Sequence, residues 1–194
     1  MKRAAIFIDG SNLYHSLFDL LGHAKLDFGK LIAKLSTGYE LYRTYYYNAQ
    51  LNQQTDPAGY KGQQKFLSAL RALPFFELRL GVLVSRGGAW VEKGIDVKVA
   101  VDMVAMAYKE QYDVAMLVSG DGDYVDCVRA VKDAGRHVVN AYFVSTQSVA
   151  LREACDDWVC IDRTDLFDRP YTVVGHTSRA SSSLLFLSSP LRKG

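Results

Sequence analysis

Two stretches place carboxylates where the chain has to turn sharply. Val114 to Tyr124 reads VAMLVSGDGDY, an uncharged run of strand length that ends in Gly120-Asp121-Gly122-Asp123 and opens a helix-like pattern. Near the start, the apolar run Ala4 to Ile8 ends in Asp9-Gly10-Ser11-Asn12, after which Leu13, Leu17, Leu20 and Leu21 recur at helical spacing. An aspartate in such a turn is often only a helix cap, and here Ser11 or Asn12 is also expected as a cap. Glycines beside it allow a tight bend or a close approach of backbone to a ligand. That the same construction occurs twice raises a chemical reading above the local one. A fourth carboxylate stands in Lys93-Gly94-Ile95-Asp96, which leads into Val97 to Tyr108. That segment is apolar on nearly every side and predicts a mostly buried helix, on whose polar face Lys98 and Asp102 can pair four residues apart.

The intervening elements must bring these residues together. Asp27 is expected to cap a helix carrying Phe28, Leu31, Ile32 and Leu35, and the aromatic run Tyr39 to Tyr47 reads as a strand. Asn48 to Gly59 is polar and loop-like; a helix over about Tyr60 to Leu73 follows and is stopped by Pro74. Phe76 to Ser85 alternates as a strand with one more exposed face, Arg86-Gly87-Gly88 is a turn, and Ala89 to Glu92 is a short return strand. After the central turn come a helix marked by Val125, Val128 and Val131, a strand over His137 to Phe143, a short helix from Ser148 and a last strand at Trp158 to Ile161. Alternating strands and helices with short connections predict an α/β fold with a mostly parallel central sheet flanked by helices.

In such sheets, ligands gather at the carboxyl ends of the strands, where strand order reverses. Asp9 and Asp121 both follow strands at that edge, and a helix beginning there brings Asp96 to it. Asp9, Asp96, Asp121 and Asp123 can thus share one cleft. Four carboxylates together repel one another unless a cation is present, and oxygen-only ligands select a hard ion, Mg²⁺ or Mn²⁺. A basic rim for substrate is expected from Arg86, Lys93 and Lys98, with Lys61, Lys65 and Arg129 behind them.

Taken together, FIDGSN at 7 to 12, KGID at 93 to 96 and SGDGDY at 119 to 124 resemble the NYN domain family of the PIN-like nuclease superfamily, over about Arg3 to Asp162. The resemblance implies a three-layer PIN-like fold and a ribonuclease acting on RNA, expected to be single-stranded. It makes Asp9, Asp96, Asp121 and Asp123 the metal-site acids, with Asn12 and Ser119 as hydrogen-bonding neighbours. Asp102 also falls on the family's helix pattern, yet six helical residues turn through roughly 240°, which points it away from Asp96 and leaves it second in rank. The mechanism implied is metal-assisted phosphodiester hydrolysis, without a His, Ser or Cys nucleophile.

Two other functions compete. A haloacid-dehalogenase-like phosphatase would account for GDGD, but needs an Asp where Ser11 stands. A noncatalytic RNA-binding or regulatory module on the same fold would use Tyr39, Tyr42, Tyr45, Tyr46 and Tyr47 to stack bases, although such tyrosines more often pack a core. Composition narrows the field further: 194 residues with 49% hydrophobic content suit one domain, and a net charge of +2 argues against a polybasic binder. No apolar run approaches a membrane span and no signal peptide is evident, so a cytoplasmic protein is expected, a homo-oligomer being compatible. Cys127, Cys155 and Cys160 lack metal-ligand spacing and are expected as reduced, buried thiols. The domain is placed at residues 1–162. Residues 163–194, Ser-rich with a short LLFL, are expected to be a poorly ordered extension or a cloning remnant outside the fold.

Overall fold

Strand β1 (Arg3–Asp9) sends Ala4, Ile6 and Ile8 into one apolar cluster and Ala5 and Phe7 into another, so it belongs in the middle of a sheet covered on both faces. The computed structural model describes residues 1–86, 89–162 and 185–186, with backbone alone at 84–86, 89–92 and 185–186. After β1 come α1 (Gly10–Leu21), β2 (Lys25–Leu26), α2 (Phe28–Leu35), β3 (Glu40–Gln50) and α3 (Pro57–Arg71). The hairpin β4 (Phe76–Arg86) and β5 (Ala89–Lys93) leads to α4 (Ile95–Tyr108), β6 (Val114–Val118) and α5 (Val125–Asp133). The chain continues through β7 (His137–Tyr142), α6 (Val149–Ala154) and β8 (Asp157–Cys160), and Leu185–Phe186 form β9.

The main sheet has the order β5-β4-β3-β1-β6-β7-β8. Every pairing from β4 to β8 is parallel, and β5 alone runs antiparallel. This is the expected mostly parallel α/β architecture, and its strand order reverses between the neighbours β1 and β6. Helices α1, α2 and α3 bury Leu13, Leu17, Phe28, Leu31, Phe66 and Leu67 against one face. Helices α4, α5 and α6 bury Val99, Met103, Val128, Val131 and Leu151 against the other. The three consecutive tyrosines divide between these clusters, Tyr46 into the first and Tyr45 and Tyr47 into the second, and all three are buried. Packing, rather than base stacking, is therefore what they do.

Several local expectations change in three dimensions. Helix α4 is covered on one side only: Val97, Val101 and Tyr108 are exposed, because the helix lies in an outer layer and its apolar residues exceed what one sheet face can cover. The Lys98–Asp102 pair does not form, since Lys98 Nζ donates to the Leu80 carbonyl at 3.2 Å and Asp102 turns toward Tyr47 and Arg79. Cys127 and Cys155 are buried free thiols raised by burial to about 11 and about 12, while Cys160, on the edge strand β8, is exposed. The exclusion of the extension from the fold has an exception at β9, which pairs antiparallel with β2, Lys25 opposite Phe186 and Leu26 opposite Leu185. The turn expected at Gly87 and Gly88 and the rest of the extension lie outside the described residues.

Candidate active site

At the point where strand order reverses, β1 and β6 run side by side and parallel, with Ile8 opposite Val118, so the turns that follow them leave the sheet at the same edge. Asp9 ends β1 and is only 3% exposed. It is the N-cap of α1, in place of Ser11 or Asn12: its Oδ1 accepts the Asn12 N–H at 3.0 Å. Its Oδ2 accepts the Tyr124 O–H at 3.1 Å. Burial raises the Asp9 carboxyl to about 6; the Asn12 and Tyr124 hydrogen bonds oppose this, and the charges of Asp96 and Asp121 add to it.

Asp96 and Asp121 therefore act on the same buried carboxyl from two other elements. Asp96 lies in the first turn of α4 and is exposed; the helix is entered through Gly94 at φ 70°, a left-handed conformation that costs a glycine little. Asp121 caps a single 3₁₀ turn, Gly122–Tyr124, by accepting the Asp123 N–H at 3.0 Å. Asp123 is exposed and joins the arrangement through that N–H. Among the described residues, no three His, Cys, Asp or Glu side chains are grouped tightly enough to hold an ion unaided. The groups that act on one another here are all carboxylates, and the repulsion of Asp96 and Asp121 at a desolvated Asp9 is what a cation would relieve. Oxygen-only side chains are the donors a small hard ion would use, and Asp9, Asp96 and Asp121 are the residues here that could hold one together with water.

The two acidic turns are stitched together by backbone and amide groups. Asn12 Oδ1 accepts the Gly120 N–H at 2.9 Å, linking the start of α1 to the turn after β6. Ser119 is buried and its Oγ accepts the Asp121 N–H at 3.1 Å. Both residues thus order the turns through protein contacts. Gly120 has no left-handed φ; a Cβ there would lie 1.7 Å from the Thr146 carbonyl oxygen, so the close approach it permits is to protein backbone. Gly10 is confined similarly by the Tyr46 ring and the Tyr47 carbonyl, each at 2.6 Å from such a Cβ.

Two residues of this site escape sequence reading. Tyr124, 1% exposed, was hidden inside the motif as a helix-start aromatic, and its phenol is pushed well up by burial and by the charges of Asp9, Asp96 and Asp121. Asn140, on β7, is fully buried and its Nδ2 donates to the Ser119 carbonyl at 2.8 Å and the Leu117 carbonyl at 3.2 Å. A polar residue inside the otherwise apolar strand HVVNAY is the one signal that marks it.

Of the expected rim, Lys93 and Lys98 are exposed on either side of Asp96, and the Arg86 side chain lies outside the described residues. Arg129 pairs with Asp126 at 2.9 Å, and Lys61 and Lys65 ride on α3, across the sheet from α4. Asp102 is drawn into a different cleft, where its Oδ2 accepts the Tyr47 O–H at 2.9 Å and lies 3.6 Å from Arg79 Nε.

The NYN domain is the family matched, over residues 3–162. Among solved structures, a crystal structure of a protein of unknown function from Vibrio parahaemolyticus RIMD 2210633 is similar at TM-score 0.68 and 23% identity, over 85% of this chain and 95% of that one. No curated protein matches. Among the described residues, no helix is long and apolar enough to cross a membrane.

Proposed function

The chain belongs to the NYN domain family, with its PIN-like nuclease fold, and on that premise we propose that it is a metal-dependent ribonuclease hydrolysing RNA phosphodiester bonds at Asp9, Asp96, Asp121 and Asp123. The observation that carries this reading is the buried Asp9 carboxyl, raised to about 6 within the field of Asp96 and Asp121 at the reversal of strand order. A structural cap gains nothing from the charges of two further carboxylates acting on it. A cation site does.

When bound, Mg²⁺ or Mn²⁺ supplies Lewis-acid polarisation of the phosphate and lowers the pKa of water. The chain supplies the rest. Asp9 is fixed by Asn12 and Tyr124 so that its carboxylate needs no reorientation, and Asp121 is held by the Asp123 N–H. Asp96, exposed at the mouth, is free to meet solvent and substrate together. Lys93, Lys98 and Arg86 flank the Asp96 connection along the chain and are assigned to phosphates of a single-stranded RNA. We take residues 1–162 as the domain, a reading that the family match over residues 3–162 supports.

Single-stranded RNA incubated with Mg²⁺, with Mn²⁺ and with chelator tests the reading. Asp→Asn at 9, 96 or 121 should lower metal-dependent cleavage by about a hundredfold or more, Asp123→Asn should lower it as well, and Asp102→Asn should have less effect. Full cleavage by Asp121→Asn would end the proposal. The absence of a closed ion cage among the described residues favours one alternative, a noncatalytic RNA-binding module, which requires RNA binding that survives chelation without cleavage in any lane.

A further inference from the structure

The cleft that captures Asp102 lies outside the acidic site and has its own chemistry. It is a cavity of about 390 Å³ between α4 and the β3–β4 strip, lined by Arg43, Glu77, Arg79, Asp102, Lys109 and Gln111 among others. Two periodicities build it. On β4, Glu77 and Arg79 are two apart and face the same way; Asp102 on α4 and Lys109, the residue that caps its C-terminus, are seven apart and line the same side. The sheet register puts Arg79 level with Tyr47 and Tyr47 level with Asp9, two strand spacings or about 10 Å from the acidic site. Along α4, Asp102 is six residues, about 9 Å, from Asp96.

The charges in the cleft do not cancel. Glu77 is shared by two guanidinium groups, Arg43 Nη1 on one oxygen and Arg79 Nη2 at 3.0 Å on the other. Asp102 takes the Tyr47 hydroxyl and stands 3.6 Å from Arg79 Nε, which is buried without a hydrogen-bond partner. No carboxylate pairs with Lys109 among the described residues. Three cations therefore face two carboxylates, with guanidinium donors still to be satisfied and Arg79 seated 5.5 Å over the Tyr45 ring. All four ion-pairing side chains remain between about a quarter and two fifths exposed, so the cleft is open to a ligand.

We propose that this cleft is a phosphate subsite, in which Arg43, Arg79 and Lys109 hold the backbone of the RNA strand that extends away from the acidic site along α4. The proposal rests on the ribonuclease reading and adds to it the path of the substrate. Two pre-arranged arginines and a lysine form the positive groove that single-strand binding needs, and Asp102 has the task of holding Arg79 in place through its contact with Nε. This accounts for a motif carboxylate that the metal site does not use.

The test compares affinities of the full chain, in Mg²⁺, for a labelled oligoribonucleotide too short to leave the acidic site and for one of about 12 nucleotides, across a salt series. Arg43→Gln and Lys109→Gln should each lower the ratio of long to short affinity by about three- to tenfold and reduce the magnitude of the long-strand salt slope by about 0.7, the contribution of one phosphate contact. Arg71→Gln, the same charge change on α3 across the sheet, should leave that ratio at its wild-type value, and Arg43→Lys should restore most of it. Equal melting temperatures among the variants exclude a folding effect. A ratio and slope unchanged in both Arg43→Gln and Lys109→Gln, with wild-type RNA binding intact, overturns the subsite alone. Failure of the wild-type chain to bind either oligonucleotide overturns the ribonuclease reading and the subsite with it.

Discussion

Asp9 is the residue at which structure and chemistry pull against each other. Its carboxyl is raised to about 6 by burial and by Asp96 and Asp121, against about 3.9 in an unfolded chain. Between those values the folded state still binds a proton that the unfolded state has released, so stability is greatest below about pH 4 on this account and is lost as pH rises through 6. About two pKa units correspond to about 3 kcal/mol at pH 7. The metal-free protein should melt higher at pH 5 than at pH 7, and Asp9→Asn should flatten that difference while raising the pH 7 melting temperature; an unchanged pH 5 to 7 difference in the variant would refute it. Added Mg²⁺ should recover the loss at pH 7 in the wild type and not in Asp9→Asn, as followed by thermal denaturation. Tyr124 sets the same balance from the other side. Tyr124→Phe keeps the buried ring and deletes the O–H that favours ionised Asp9, so the pH midpoint of the stability change should move up by about one unit.

At the scale of elements, the site depends on two turns locked to each other rather than on either alone. Asn12 crosses from α1 to the Gly120 N–H, and Asn140 reaches from β7 to the Ser119 carbonyl. Between them, Gly120 presses against the Thr146 carbonyl with no room for a methyl group. Gly120→Ala should therefore force the turn after β6 away from the loop after β7 and destabilise the protein by about 1–3 kcal/mol, measured by denaturant unfolding. Gly122→Ala is the comparison: its Cβ would meet only the Ser148 side chain, 3.0 Å from Oγ, which can shift at the expense of its cap to the Leu151 N–H, and should cost less than a clash with backbone. Equal costs at the two positions would show that the close approach at Gly120 is not the cause.

For the molecule as a whole, both faces of a six-strand parallel array are covered between Arg3 and Asp162, and the extension adds a two-residue strand beside β2. Leu26 is fully buried in the cluster on the α1–α3 face, and β9 also touches α3. Ending the chain at Ser178 removes β9 and should leave a single cooperative thermal transition, lowered by less than about 1 kcal/mol, because a two-residue ladder adds little to a core already closed. Loss of cooperativity on truncation would make the extension a structural part of the domain.

The layers and the sheet edge were legible from residue patterning. Period-two and period-3.6 patterns, with turns at Asp9 and Asp121 after apolar runs, were enough to predict parallel strands and acidic turns at their carboxyl ends, since burial of alternating faces permits few other arrangements. Oxygen-only side chains likewise set the expectation of a hard ion, which the proposed function carries forward. Tertiary structure alone decided which carboxylates feel one another. Asp96 and Asp121 act on Asp9, whereas Asp102, on the same helix as Asp96, is taken by Tyr47 and Arg79. The reason is distance: electrostatic and hydrogen-bond partners are set over a few ångströms by strand register and helix rotation, which residue spacing along one element does not encode. The same holds for Tyr124 and Asn140, whose roles exist only because elements separated in sequence meet at the reversal of strand order.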